Sequence, residues 1–158
     1  MSGPDADPAP LRPGVVWAVA SLALLMNTLD ASIVNVALPT IRRDLGANIS
    51  ELQWVVDAYT LALAALLLSA GTAGDRFGHR RAAAAGMAVF VAASAACGAA
   101  PGAGLLVAAR AAQGVGAALL MASTLSLLTV AFPDQRRRAR AIGWWAVFSG
   151  VGFSAGPP

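Results

Sequence analysis

The stretch WVVDAYTLALAALLLSAGTAGDRFGHRR, Trp54 to Arg81, joins a long apolar run to a short connector dense in charge. A second apolar run, Ala82 to Ala100, follows at once. A run of about 20 apolar residues, rising 1.5 Å per residue as a helix, crosses a hydrocarbon core of about 30 Å. Lipid offers no partner to a backbone N–H or C=O, so such runs must close their hydrogen bonds internally, as helices. The apolar/polar alternation over about ten residues that a membrane barrel needs is missing here. The connector GTAGDRFGHRR, Gly71 to Arg81, sets one carboxylate and three arginines between the two spans.

Composition carries the same reading to the whole chain. Its 158 residues are 58% hydrophobic and 12% charged, against about 25% charged in ordinary soluble domains. Mean hydropathy is +0.67, so the class is an all-α polytopic membrane protein in contact with a lipid bilayer. The pI near 10.4 does not point to nucleic acid. All eleven basic residues are arginines; they cluster beside the apolar runs, with Arg110 inside one, and form no basic stripe with interleaved aromatics. The single cysteine, Cys97, lies in an apolar run and reads as packing; it excludes an internal disulfide framework and a cysteine-based zinc site. With no G-x-S-x-G, H-E-x-x-H or phosphate loop and one histidine, the sequence gives no support to an enzyme, a metal site or a bound cofactor.

Residues 1–13, MSGPDADPAPLRP, read as a disordered cytoplasmic tail. Apolar runs then fall at about 14–38, 54–74, 82–100, 105–131 and 141–158, the first closed by Pro39 and the fifth still running at Pro158. The expectation is four complete spans and a fifth cut short, in one incomplete N-terminal bundle, 14–158. Seven arginines (Arg76, Arg80, Arg81, Arg136, Arg137, Arg138, Arg140) flank one set of alternate connectors and two (Arg42, Arg43) the other. The positive-inside rule therefore puts the richer connectors and the N-terminus in the cytoplasm. Trp17, Trp54 and the Trp144–Trp145 pair fall near span ends, where indole prefers the interface.

Asp30, Asp57 and Arg110 stand inside the apolar runs. An ionisable group at such depth costs roughly 2.5–3.5 kcal/mol on insertion scales and usually faces a cavity or a partner. Asp30 precedes Leu38 by eight residues and Arg110 follows Gly102 by eight, which puts both about 12 Å below the outer ends of their helices. Asp57 lies nearer the surface. Opposite charges at similar depth on three helices predict one polar cluster. Asn27 shares a face with Asp30, and Gln113 with Arg110. A carboxylate beside an arginine in a low-dielectric site can load or release a proton after small rearrangements; a structural ion pair that sets helix register is the plainer alternative.

The connector Gly71, Asp75, Arg76, Gly78, Arg80, Arg81 resembles the loop signature G-x-x-x-D-R-x-G-x-R-R of the major facilitator superfamily. LDASIVNVALPTI, from Leu29, resembles the first-helix signature of its drug:proton antiporters, and WVVDAYTLALAALLL, from Trp54, is similar to the second helix of the fourteen-helix branch. RAAQGVGAALLMASTLSLL, with Arg110, Gln113 and Gly114, resembles the fourth-helix signature. GVGFSAGPP, from Gly150, resembles the opening of the fifth-helix antiporter motif, with Gly152, Gly156 and Pro157. His79 departs from the arginine often found there, and Ala122 from a proline usual in close relatives.

The resemblance implies the N-terminal part of a major facilitator bundle, and proton-coupled export of hydrophobic or amphipathic small molecules across the plasma membrane. Asp30 would take part in proton coupling with Arg110, and Asp57 is a further candidate. Asp75 would latch the two halves of the transporter, Gly71 would admit close helix approach, and Gly78 would permit the tight reversal. The glycine–proline motif would close a packed helix contact against proton leak. Implied partners are protons, a hydrophobic substrate, the bilayer and the C-terminal helices absent from this sequence; the energy source is the proton gradient. A non-transporting truncated fragment and a metabolite transporter of the same superfamily are the alternatives.

Overall fold

The computed structural model describes residues 13–131 together with Gly143. The rest of the fifth apolar run, with Gly152, Gly156 and Pro157, lies outside the described residues, as do residues 1–12 and the arginines at 136–140. Four helices follow one another: α1 Pro13–Leu45, α2 Ile49–Phe77, α3 His79–Gly98 and α4 Ala103–Ala131. Among the described residues there is no strand. Their 33, 29, 20 and 29 residues make rods of about 50, 44, 30 and 44 Å. All four are long and apolar enough to cross a membrane.

Three boundaries differ from the expectation, each for a local reason. The first helix does not stop at Leu38 but runs through Pro39 to Leu45. Proline removes one backbone bond, to the carbonyl four residues earlier. That residue is Asn35, on the exposed side of the helix, and near a membrane surface solvent can satisfy the freed group. Gly46 then ends the helix with φ 62, a left-handed conformation that favours glycine. The second helix begins five residues before Trp54, at Ile49, because Asn48 and Glu51 form a capping box. The Glu51 amide donates to Asn48 Oδ1 at 2.9 Å, and the Asn48 amide donates to Glu51 Oε2 at 2.8 Å. At its other end α2 continues through the charged connector to Phe77, and α3 starts at His79. Gly78 alone joins them, with φ 90 and its amide donating to the Gly74 carbonyl at 2.9 Å.

The bundle is built around α4. Half of its span is buried, against 17% for α1. Lipid supplies no hydrophobic drive between helices, so association rests on close packing, and small residues let backbones approach. Gly114 permits this between α4 and α2: a Cβ there would lie 2.9 Å from the Ala62 Cβ and would also strike the Tyr59 carbonyl. Gly116 and Gly86 face each other between α4 and α3. A Cβ on Gly116 would meet the Phe90 amide at 2.7 Å, and one on Gly86 the Gly116 carbonyl at 2.8 Å. Ala23, Tyr59, Phe90, Ala117 and Leu120 form a core that takes a side chain from every helix. α1 adds a second contact with α4 through Val16, Ala20 and Leu128. Beside the C-terminal half of α1 lies an open cleft of about 520 Å³ whose walls include Ile33, Val34, Phe90, Ser94 and Leu106.

Gly71 has open space around it among the described residues. A Cβ there would meet nothing within 4 Å, so no close approach among the described helices depends on it. Glycine matters where a backbone crosses on that face, and α4 crosses α2 near Tyr59 instead.

Gly116→Leu in the complete protein should cost about 1–3 kcal/mol through overpacking, seen as a lowered Tm in detergent. Gly104→Leu, on the same helix with open space at its Cβ, should stay within about 0.5 kcal/mol of the unaltered protein.

Candidate functional site

Arg110 is 2% exposed although it lies in the middle of an apolar bundle. A guanidinium keeps its charge under any ordinary condition, so the surroundings must answer it. Nη1 donates to Asp30 Oδ2 at 2.6 Å and to Gln113 Oε1 at 2.8 Å; Nε donates to the Val55 carbonyl at 3.1 Å. Its Cζ stands 4.3 Å from the centroid of the Tyr59 ring, within the range of a cation–π contact.

Gln113, 1% exposed, sits one turn along α4 and completes the arrangement. Its amide nitrogen donates to Asp30 Oδ1 at 2.6 Å and to Ser94 Oγ at 2.8 Å. Both oxygens of the Asp30 carboxylate are therefore held, one by a cation and one by an amide. The Cys97 thiol lies 3.7 Å from Gln113 Oε1. Asn27, one turn before Asp30, accepts from the Tyr59 hydroxyl and reaches the Met121 sulfur at 3.8 Å. α1 thus supplies Asn27 and Asp30, α2 the Val55 carbonyl and Tyr59, α3 Ser94 and Cys97, and α4 Arg110 and Gln113. Spacings of three and four on each helix put the members of every pair on one face. Bonds with a charged partner are the short, strong ones, and a buried pair deprived of one member typically costs about 3–5 kcal/mol.

Asp57 is not part of this cluster, contrary to the sequence expectation. It is exposed, and the reason is helical phase. Val55 and Tyr59, which meet the site, lie two residues to either side, and two residues turn a helix by about 200°. Depth along the helix was a poor guide because it ignores angle.

The connector signature sits at the far end of α2, away from the cluster. Asp75 is 74% exposed and its Oδ1 lies 3.1 Å from Nε2 of His79. The imidazole packs over Gly74, where a Cβ would lie 2.7 Å from Cε1 of the ring, and its Nδ1 is buried without a partner among the described residues. Arg76 stands 5.5 Å from the Phe77 ring centroid. Arg80 borders a smaller cleft of about 340 Å³ with Val16, Ala83 and Met87, while Arg81 is exposed. Gly114, the remaining fourth-helix candidate, serves the contact of α4 with α2 at Tyr59. Among the described residues no three His, Cys, Asp or Glu side chains converge as metal ligands would.

Tyr59, Ser94 and the Val55 carbonyl were not foreseen. A signal for two of them existed: Tyr59 is the sole tyrosine of the chain, and Ser94 and Cys97 share a face of α3. A buried arginine demands more partners than one carboxylate can give.

Comparison with known proteins puts the chain in a family. A profile of the Major Facilitator Superfamily matches residues 20–158. The chain is 45% identical over 136 residues to the multidrug resistance protein Stp of Mycobacterium tuberculosis, covering 86% of this chain and 25% of that protein. It is 44% identical over 142 residues to the methylenomycin A resistance protein of Bacillus subtilis, covering 90% and 30%. To the multidrug efflux pump LfrA of Mycolicibacterium smegmatis it is 42% identical over 154 residues, covering 98% and 31%. The chain therefore spans about a quarter to a third of the length of these relatives. With its four membrane-spanning helices and a profile match over most of its length, the chain belongs to the Major Facilitator Superfamily.

Proposed function

We propose that this chain serves proton-coupled export of hydrophobic or amphipathic small molecules, as part of a longer transporter in the plasma membrane. The observation that carries the reading is the Asp30 carboxylate, enclosed in a membrane-spanning bundle and held at one oxygen by Arg110 and at the other by Gln113. The names of the relatives, among them a multidrug efflux pump and an antibiotic resistance protein, support the export direction and the substrate class. The arginine-rich connectors and the N-terminus face the cytoplasm in this reading.

Asp30 is the group that gains and loses the proton. Protonation removes its charge, and with it most of the attraction to Arg110. The bonds of Asp30 to α4 then weaken while the core contacts of α1 near Ala20 and Ala23 persist. A change in proton occupancy thereby becomes a change in how firmly the outer half of α1 is held. The cleft beside it, with apolar walls and Asp30 and Arg110 at its margin, suits an amphipathic substrate that competes with the proton for the carboxylate. Asp57, exposed and outside the network, has a smaller part or none.

In the complete protein, Asp30→Asn should abolish drug efflux driven by a pH gradient while membrane abundance on immunoblots stays near that of the unaltered protein. Full drug resistance in that variant would sink the coupling role. Arg110→Ala should reduce transport by about ten-fold or more, and Asp57→Asn by much less, measured as initial efflux rates in the same vesicles. The reverse order would mean that the wrong acidic residue has been joined to the site.

A further inference from the structure

We propose that Tyr59 is a positioning residue that holds the Arg110 side chain in place against α2 while Asp30 changes its charge. The inference rests on the proton-coupling reading above and deepens it. Arg110 has two kinds of neighbour. Asp30 attracts it strongly only while ionised. The Val55 carbonyl, 3.1 Å from Nε, Gln113 Oε1, 2.8 Å from Nη1, and the Tyr59 ring, 4.3 Å from Cζ, attract it whatever the state of Asp30. A guanidinium cannot shed its proton to escape the cost of burial. When Asp30 is neutral, the carbonyl and the ring face on α2, with the Gln113 amide on its own helix, are therefore what keeps Arg110 from following α1 or seeking the cleft.

The ring is fixed for this purpose from three sides. Its hydroxyl donates to Asn27 Oδ1 on α1. Its body is 8% exposed and packs with Ala23, Phe90, Ala117 and Leu120. Its own backbone carbonyl abuts Gly114, one turn from Arg110 on α4. The position of the ring relative to α4 is thus set by two helices in backbone contact. α1, by contrast, is attached near the site by Asp30 and Asn27. Loading a proton on Asp30 consequently loosens α1 and leaves the Arg110 side chain against α2, ready to meet the carboxylate when the proton departs.

The test uses the complete transporter in proteoliposomes, with ethidium as the probe. Two rates are taken on each preparation: efflux driven by a pH gradient, and exchange of ethidium with no gradient. Their ratio cancels differences in abundance. Tyr59→Phe keeps the ring and should leave the ratio within about three-fold of the unaltered protein; Tyr59→Leu removes the ring face and should lower the ratio about ten-fold while exchange changes little. Tyr59→Met, a flexible replacement that fills the space, should behave like Tyr59→Leu and covers the case in which that variant folds poorly. A parallel fall of both rates would reduce Tyr59 to a packing role, an unchanged ratio in Tyr59→Leu and Tyr59→Met would remove it from the site, and a low ratio in Tyr59→Phe would shift the role from ring to hydroxyl. Each of these outcomes overturns the proposal. Asp30→Asn is measured alongside. If its ratio stays normal, the coupling reading itself has failed; if its ratio collapses while that of Tyr59→Leu does not, only the positioning role falls.

Discussion

A permanently charged guanidinium buried in an apolar bundle has to be met on every side by its neighbours, and the geometry of all four helices answers to that demand. Arg110 takes a carboxylate from α1, a carbonyl and an aromatic face from α2, and an amide from its own helix, which in turn reaches α3. The partners on α2 and α3 approach through the small residues on α4. Gly114 brings the backbone of α2 against α4 one turn from the arginine, and Gly116 does the same for α3 through Gly86. Packing and electrostatics are here one constraint: the glycines set the distances at which the charge is tolerable.

The same constraint divides the bundle unevenly. α2 and α3 are joined to α4 along glycine-mediated backbone contacts, whereas α1 depends on a modest apolar contact at its N-terminal half and on polar bonds near its middle. Past Asp30 it stands apart from α3 and α4 across the large cleft. An element held largely by charged and polar bonds responds to a change in charge, whereas one held by interlocked backbones does not. At the other end of α2, Asp75 pairs with His79 inside its own connector, and the ring lies where only a glycine at position 74 leaves room.

Much of this was legible in the sequence. Run lengths and the absence of alternation gave four helical spans, and equal depth on two helices was enough to pair Asp30 with Arg110. The helix ends were less legible, because the capping box of Asn48 and Glu51 and the single-residue turn at Gly78 extend α2 well past its apolar stretch, and one proline does not stop α1. Asp57 was misplaced because depth was weighed without phase; helical rotation from Val55 and Tyr59 settles it. Tyr59 and Ser94 escaped because neither carries a charge, and because which face of α2 and α3 meets α4 is decided by glycine contacts between distant parts of the chain. Gly71 shows the converse, a glycine with motif spacing and open space around it.

The central claim is that Asp30 carries the proton that substrate displaces, and it is tested most directly by proton release. The complete transporter, purified in detergent with weak buffer and a pH-indicator dye, would be titrated with ethidium while binding is followed by its fluorescence. About one proton should leave per ethidium bound in the unaltered protein, and none in an Asp30→Asn variant that still binds. Equal release from both would contradict the claim and move the proton to another group.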